Sequence, residues 1–514
     1  MDEKVNVQFV IDEDGNKHFL EKEIGRGGQG IVWRTKDPNI LVKMKVDRST
    51  GEPVVDDKEY DKYKNDLDEV RILDIPDYIH IAKPVSMLQR PYCGYVMRFL
   101  GGMKSIKHWI RSFDDPNMNP ILFYYKSGGL KHRLELLTNI AEIFTQLFSH
   151  SAVYADLSPN NVFASENLDS SEVWLIDADN MRYRYDVDKE ISTEGYTAPE
   201  VVKGEINTLE SDEYSFAILA HEILTLNSPF NGEMITESEA GWDDEDEDNS
   251  VLAAKGEIPW IEDPEDDSNR CRTGLPGKIV FTETIRHLFE KTFSEEGRHN
   301  PQSRPKMRDW YTALKQAQDY TVECKYCKST FLMTRADAKC PFCKTGRESD
   351  REKVIFSQII DEYMVDEIVA VENQHINTFN DDEYFVQGIT KADIKQTDNI
   401  AVKLFDMKDG KYCFYNYHTD DVSFSEKKMV TIELEISGGV YTIRNLTGRD
   451  IQVASKNTSY GTIHPEESKK FDSINNMILS MDILKKKKDM TSEEIQQIDD
   501  LNKLRKRHIK FYVI

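Results

Sequence analysis

Two carboxylates and one amide stand in two short segments near the middle of the chain. The first segment reads D-L-S-P-N-N over residues 156–161, and the second reads L-I-D-A-D over residues 175–179. Phosphoryl transfer from a magnesium nucleotide needs oxygen ligands around Mg²⁺ and another carboxylate that orients the attacking hydroxyl. Asp177 and Asn161 fit the metal role, and Asp156 fits the base. Because a D-x4-N run followed by an Asp also occurs by chance, the interpretation depends on the surrounding sequence.

A glycine-rich run precedes these segments. Residues 23–32 read E-I-G-R-G-G-Q-G-I-V, in which glycines allow backbone N–H groups to fold over phosphates. A β-prone run with Lys43 follows, and then a helical stretch with Glu69. Each feature alone is weak, but the order of glycine loop, strand lysine, helix glutamate, D-x4-N and Asp is much less expected by chance.

At this point the chain resembles the eukaryotic-type protein kinase family, over roughly residues 16–318. Residues 97–102 look like the gatekeeper and hinge, residues 193–200 look like the end of the activation segment, and Ser211-Asp212 opens a helix like the buried helix of the large lobe. The resemblance implies an α+β, bilobal kinase fold with a β-rich small lobe and a helical large lobe. Apolar residues at helical spacing over 131–150 agree with a core-facing large-lobe helix.

The resemblance also implies residue roles. Lys43 would hold the α- and β-phosphates and pair with Glu69, Asp156 would be the catalytic base, and Asn161 and Asp177 would bind Mg²⁺. The expected nucleotide-binding residues are Gly25, Gly27, Gly28, Gly30, Val32, Leu41, Lys43, Met97, Phe99, Leu100 and Phe163.

Two further contacts have expected structural roles, and one residue is a rival for the role of Lys43. Glu200 would pair with Arg304, and Asp212 would hold the backbone of the catalytic loop. Lys45 is a rival for the lysine role, because side chains two apart on a strand share a face. We favour Lys43, since that register places apolar Leu41 against the adenine.

The sequence departs from the family at three places. Tyr154-Ala155-Asp156 replaces H-R-D, so activation by loop phosphorylation is not expected. Ser158 replaces the lysine of Ser/Thr protein kinases, as in the D-L-S-x-x-N loop of RIO-type and other atypical kinases. Asp177-Ala178-Asp179 lacks the Phe and Gly of D-F-G, and we hypothesise that the Tyr154 ring fills the volume lost at Ala178.

A second strong pattern lies after the kinase-like region. Two C-x-x-C knuckles, separated by twelve residues, can place four thiolates around one ion and predict a zinc ribbon over 320–346. A redox pair is the alternative. All four ligands would come from the protein, so the zinc is expected to be structural. The expected ligands are Cys324, Cys327, Cys340 and Cys343.

Residues 350–514 are charged, β-prone and poor in proline. They predict a β-rich interaction domain, with a β-sandwich similar to forkhead-associated domains as one interpretation. Hairpins are expected from residues 412–416 with 422–424 and from residues 441–445 with 451–453. The stretch 491–507 has a helical pattern, and a protein partner of this region is expected.

Charge and apolar content limit the partners. The net charge of −26 argues against a nucleic-acid partner, because a phosphate backbone would be repelled. No apolar stretch approaches the length of a membrane span and the N-terminus lacks a signal-peptide pattern, so no membrane association is expected. Cys93, Cys271 and Cys413 are expected to be reduced thiols, and the expected location is the cytoplasm.

The favoured function is transfer of the γ-phosphate of Mg·ATP to Ser or Thr of a protein substrate. A pseudokinase scaffold is the second hypothesis, which the Ala178 and Ser158 departures keep open. A kinase of small molecules is the third, although the segment A-P-E at 198–200 and the large lobe that follows count against it.

Overall fold

The structure is a computed structural model, and its chain divides into two compact units, Met1–Gln318 and Asp319–Ile514. Within the described part of the chain, no helix combines the length and the apolar character needed to cross a lipid bilayer. The structure describes residues 7–27, 30–47, 49–110, 119–185, 191–238, 248–271, 273–324, 326–333, 339–343, 354–369, 389–420, 429–455, 458–482 and 505–513.

The first unit begins with a six-stranded antiparallel sheet of order β1-β2-β3-β4-β6-β5 and one helix. The side chain of Asp56 caps helix α1 by accepting hydrogen bonds from the backbone N–H groups of Lys58 and Glu59, and α1 buries Leu67 and Val70. The elements are β1 (Phe9–Ile11), β2 (Lys17–Gly27), β3 (Gly30–Thr35), β4 (Ile40–Met44), α1 (Asp57–Arg71), β5 (Ser86–Met87) and β6 (Gly94–Arg98).

The rest of this unit is mainly helical. Its elements are β7 (Met103–Ser105), α2 (Pro120–Lys126), α3 (Gly129–Ser149), β8 (Ala152–Val153), β9 (Val162–Ser165), β10 (Val173–Leu175), β11 (Arg182–Tyr183), α4 (Pro199–Val202), α5 (Leu209–Thr225), α6 (Glu233–Ser238), α7 (Asn249–Ala254), α8 (Gly277–Val280), α9 (Glu283–Phe293), α10 (Glu295–His299) and α11 (Met307–Asp319). This β-rich part followed by a helical part is the bilobal architecture that the sequence predicted.

Two helices form the core beneath the site. The helix expected over 131–150 is α3, whose Leu134, Leu137, Ile140 and Phe144 are fully buried. Helix α5 is buried on almost every side, as an apolar helix through the centre of a lobe should be. It begins at a capping box in which Thr208 and Ser211 exchange side-chain to backbone hydrogen bonds.

The second unit is a cysteine-bearing hairpin followed by a β-sandwich. One sheet has the order β15-β14-β23-β22-β19-β20 and the other β16-β17-β18-β21. The elements are β12 (Thr321–Glu323), β13 (Thr330–Leu332), β14 (Val354–Val369), β15 (Ile389–Asp406), β16 (Gly410–Tyr415), α12 (Asn416–Thr419), β17 (Val430–Ser437), β18 (Val440–Asn445), β19 (Ile451–Ser455), β20 (Thr458–Ile463), β21 (Ser468–Phe471), β22 (Met477–Asp482) and β23 (Arg505–Val513).

A single apolar cluster fills the space between the two sheets. Ile359 and Ile509 enter it from the first sheet, and Leu434 and Ile443 enter it from the second. The hairpin of β12 and β13 has its own cluster, in which Phe331 joins side chains of the first sheet, so the hairpin packs against the sandwich. The separate domain limits of 320–346 and 350–514 stay a prediction.

The strand pairing differs from the predicted hairpins. The second hairpin is wrong, because β18 pairs with β17 and β21, whereas β19 pairs with β20 and β22 in the other sheet. Residues 441–445 and 451–453 are therefore strands, but the turn between them crosses the sandwich. The second strand of the first hairpin, 422–424, lies outside the described residues. Residues 505–507, expected in a helix, belong to β23, and 491–504 lie outside the described residues.

Candidate active site

The loop that follows β8 carries the expected base. Asp212, at the start of α5, accepts hydrogen bonds from the backbone N–H groups of Tyr154 at 2.8 Å and Ala155 at 3.0 Å. The side-chain amide of Asn161 donates to the carbonyl of Asp156 at 2.9 Å. These three bonds tie the loop at its two ends, so Asp156 and Asn161 are held in fixed relation to each other. This is the backbone-holding contact that the resemblance implied for Asp212.

The Asp156 side chain lies in a largely buried position. The Thr193 hydroxyl donates to its Oδ1 at 2.5 Å. Burial raises the pKa of Asp156, the hydrogen bonds from Thr193 and Asn161 lower it, and the charge of Asp177 raises it, with a net increase. A carboxylate of raised pKa that already contacts an alcohol can accept the proton of a substrate hydroxyl.

Asp177 lies two residues after the end of β10, in a left-handed conformation with φ of 56°, at the start of a 3-10 turn over Ala178–Asn180. The ammonium of Lys43 lies 2.9 Å from Asp177 Oδ1 and 2.8 Å from Asp179 Oδ2. Burial lowers the pKa of Lys43, but Asp179 and Asp177 outweigh it, so the pKa lies above its usual value. The cation from β4 and the carboxylate after β10 therefore meet in one cleft.

The expected pair of Lys43 with Glu69 is not formed. The Glu69 carboxylate lies 2.9 Å from Nε of Arg182, and its side chain is 56% exposed. Arg182 on β11 offers Glu69 a cation, while Asp179, at the position where the family has glycine, offers Lys43 a half-buried carboxylate. The sequence analysis missed the roles of both Asp179 and Arg182, although an acidic residue in place of that glycine was visible.

The register of β4 distinguishes the two candidate lysines. Val32 is opposite Lys43 and Leu41 is opposite Met97. Lys43 is 4% exposed, whereas Lys45 binds Glu59 at 2.8 Å near the surface. Lys43 is thus the lysine that faces the carboxylates, and Lys45 is not.

One apolar cluster contains four of the predicted nucleotide-binding residues, Val32, Leu41, Met97 and Phe99. The half-buried Leu100 follows in the hinge, and Phe163 is half-buried on β9. Their contact with a nucleotide stays a prediction.

The glycine run lies at the paired ends of β2 and β3, where Gly27 is opposite Gly30. Gly25 lies in β2, Gly27 ends it and Gly30 opens β3, and Gly28 lies outside the described residues. At Gly30, a Cβ would lie 2.5 Å from the carbonyl oxygen of Met44, so the close approach of β4 requires glycine there. The phosphate-binding role of the run stays a prediction.

The ring of Tyr154 is fully buried. It packs edge-on against Phe144 with ring centroids 5.7 Å apart, and its hydroxyl donates to the carbonyl of Ile176, the residue before Asp177. Ala178 is buried as well. These contacts agree with the hypothesis that Tyr154 packs the region between α3 and the segment of Asp177.

A buried ion pair fixes the end of the activation segment. Arg304 donates to both carboxylate oxygens of Glu200, at 2.7 and 2.8 Å, and its side chain is fully buried. This is the pair that the resemblance implied. A cavity of about 690 Å³ opens beside the same segment, between residues 192–197 and helices α5 and α7.

The four predicted zinc ligands converge in the second unit. Their sulfur atoms all lie within 4.8 Å of one another. Sγ of Cys324 lies 3.7 Å from that of Cys343, and Sγ of Cys327 lies 3.6 Å from that of Cys340. A tetrahedral site with Zn–S bonds of about 2.3 Å separates its sulfurs by about 3.8 Å. The thiols therefore fit a tetrahedral zinc ion.

The comparisons with known proteins agree with this geometry. The family model described as "Protein kinase domain" matches residues 19–311, more than half of the chain. The probable serine/threonine-protein kinase PknB of Lactococcus lactis is 26% identical over 42% of this chain and 33% of its own length. The serine/threonine-protein kinase PknD of Protochlamydia amoebophila is 23% identical over 45% of this chain and 25% of its own length. The serine/threonine-protein kinase PkaA of Streptomyces coelicolor is 24% identical over 42% of this chain and 40% of its own length.

The matched region thus spans less than half the length of these relatives. The family match covers both lobes, and it includes the glycine hairpin, Lys43, Asp156, Asn161 and Asp177. The chain belongs to the protein kinase domain family.

Proposed function

We propose that this protein is an ATP-dependent protein kinase that transfers the γ-phosphate to serine or threonine hydroxyls of a protein substrate. The observation that carries the proposal is the meeting of Lys43 and Asp177 beside the loop that holds Asp156 and Asn161. A further hydrogen bond, from the N–H of Ile176 to the carbonyl of Asn161 at 2.9 Å, couples the catalytic loop to the segment of Asp177.

Each side chain would have one task. Lys43 would hold the α- and β-phosphates, and Asp156 would orient the substrate hydroxyl and accept its proton. Asn161 donates through its Nδ2 to the loop, so its Oδ1 would join Asp177 as a cation ligand. Mg²⁺ at these oxygens would neutralise charge on the transferred group.

A protein substrate fits the large lobe better than a small molecule does. Residues 192–197 lie between the catalytic loop and the cavity, so an extended peptide could contact both. Thr193 already places a hydroxyl against Asp156. The names of the relatives, which are serine/threonine-protein kinases, favour the same acceptor class.

A pseudokinase scaffold is the second candidate, and one observation favours it. The ammonium of Lys43 is bound by two carboxylates, and Glu69 is engaged elsewhere. If nucleotide binding did not displace Asp177 from Lys43, the protein would bind ATP without transferring its phosphate.

The second unit would carry a structural zinc and an interaction surface. We propose zinc at the four cysteines because their geometry suits it, with no open position for a reacting water. The sandwich supports an interaction module, and its likeness to forkhead-associated domains stays a prediction. A cytoplasmic location is proposed from the scattered cysteines, read as reduced thiols.

The test is phosphate incorporation from Mg·ATP into the full chain and into a mixed protein substrate, with the acceptors located by mass spectrometry. Asp177→Asn should abolish incorporation, whereas Asp169→Asn, the same change at an exposed turn, should not. Phosphoserine and phosphothreonine in the wild type would support the proposal. ATP binding without incorporation would favour the scaffold, and transfer only to added small molecules would favour the third hypothesis.

A further inference from the structure

Lys43 is held by two carboxylates that differ in their surroundings. The Asp177 side chain is 28% exposed, whereas that of Asp179 is 16% exposed. The hydroxyl of Tyr95, which is buried, donates to Oδ1 of Asp179 while Oδ2 binds Lys43. Asp179 is therefore fixed from both oxygens, and Asp177 has the freer access to a ligand in the cleft.

The backbone at Asp179 is fixed as well. Arg182 donates through Nη1 to the carbonyls of Asp179 at 3.0 Å and Met181 at 2.8 Å. The same guanidinium lies against Glu69 of α1. Glu69 thus contacts the segment of Asp179 through Arg182 and does not contact Lys43.

We propose that Asp179 is the positioning residue that holds Lys43 for the phosphates, in place of Glu69. The inference deepens the proposed function and rests on the phosphate-binding role given there to Lys43. Two carboxylates around one ammonium leave one negative charge in excess. A divalent cation in the cleft would engage Asp177, and Lys43 would keep Asp179 as its partner.

The alternative is that α1 moves when nucleotide binds, so that Glu69 exchanges Arg182 for Lys43. The two accounts differ in which carboxylate matters for the grip of Lys43 on the phosphates. Because both Asp179 and Glu69 are acidic and neither would contact the phosphates, removing one charge at a time separates them.

The first experiment measures ATP affinity without turnover, by displacement of a fluorescent ATP analogue from the full chain in EDTA and in Mg²⁺. Asp179→Asn should weaken ATP binding by about tenfold in both conditions, by analogy with residues that orient metal-ligating side chains, whose loss costs about 10–100-fold. Asp177→Asn should remove mainly the increase in ATP affinity that Mg²⁺ gives over EDTA. Glu69→Gln should lose less than Asp179→Asn, and Asp68→Asn, the same charge change at the neighbouring half-buried residue of α1, whose carboxylate contacts Arg71, is the control.

Two results would overturn the inference. A larger loss in Glu69→Gln than in Asp179→Asn would show that the helix glutamate holds Lys43 in the bound state. A loss in Asp179→Asn confined to Mg²⁺ conditions would make Asp179 a metal ligand.

The second experiment needs no nucleotide and therefore stands apart from the proposed function. One double-mutant cycle compares the melting temperatures of Lys43→Met, Asp179→Asn and the variant with both changes. The other cycle compares Lys43→Met, Glu69→Gln and the variant with both of those changes. The first pair should be clearly non-additive and the second additive. Additivity in the first pair, or coupling only in the second, would refute the inference even if the wild type bound no ATP. Conversely, a coupled first pair in a protein that fails to transfer phosphate would contradict the proposed function alone.

Discussion

The ion pair of Glu200 and Arg304 allows a quantitative prediction about the stability of the kinase unit. Glu200→Ala removes both acceptors of a bidentate pair and leaves the fully buried guanidinium of Arg304 without its counter-charge. Removing one partner of such a pair costs about 3–5 kcal/mol. Arg304 keeps hydrogen bonds to the carbonyls of Gly297 at 2.8 Å and Glu210 at 3.0 Å, so we expect the lower end, about 3 kcal/mol.

Tryptophan fluorescence can follow this unit alone within the full chain. All six tryptophans precede residue 319, so their emission does not report on the second unit. At about 2–4 °C per kcal/mol for a large domain, the melting temperature should fall by about 6–12 °C. Glu205→Ala, at an exposed glutamate near the same helix, is the matched control and should change stability by less than about 0.5 kcal/mol.

A double variant tests the cause of the loss. Glu200→Ala with Arg304→Met should be less destabilised than the sum of the single changes, because the unpaired buried charge is then gone. Additive losses, or a Glu200→Ala variant that melts with the wild type, would refute the account of this pair.

Three more predictions follow from the structure. Cys327→Ser or a strong chelator should remove one zinc per chain, measured by elemental analysis. The second unit should then unfold, as followed by circular dichroism, without a change in tryptophan emission. A zinc-free protein with an unchanged melting curve would contradict this. The acid limb of kcat/KM should have its midpoint above 3.8, the ordinary aspartate pKa, because burial raises the pKa of Asp156 and transfer needs its deprotonated form; a midpoint at or below 3.8 would contradict that base. Burial raises the pKa of Glu222 to about 7, so between about pH 5 and 8 the folded state binds a proton that the unfolded state has lost, and stability falls as pH rises. Glu222→Gln should match the wild-type melting temperature at pH 5 and exceed it at pH 8. An equal slope of melting temperature against pH in both proteins would refute the raised pKa of Glu222.

Features set by local sequence were predictable. The four cysteines meet because each C-x-x-C knuckle places two thiols together, and only one hairpin has to bring the knuckles into contact. The catalytic loop is similar, since the bond from Asn161 to the carbonyl of Asp156 spans five residues. The strand β4 was also identified correctly, because Lys43 stands in a continuous apolar run that is buried from Leu41 to Met44.

The pairing of strands and of charged side chains that lie far apart in the sequence was not predictable. Alternation identified β18 and β19 as strands, but it does not say that the turn between them crosses from one sheet to the other. The ion pairs show the same limit. Which carboxylate reaches Lys43 depends on how the segments of Asp179 and Glu69 pack around it, and the residue types alone permit either pair.

The measurement that bears most directly on the proposed chemistry compares ATP affinity and single-turnover phosphate transfer in the same preparation of Asp156→Asn. We expect ATP affinity close to that of the wild type and transfer slowed by about 10²–10⁴-fold, the usual contribution of a general base. Transfer at the wild-type rate, with binding intact, would show that Asp156 is not the base and would contradict the account.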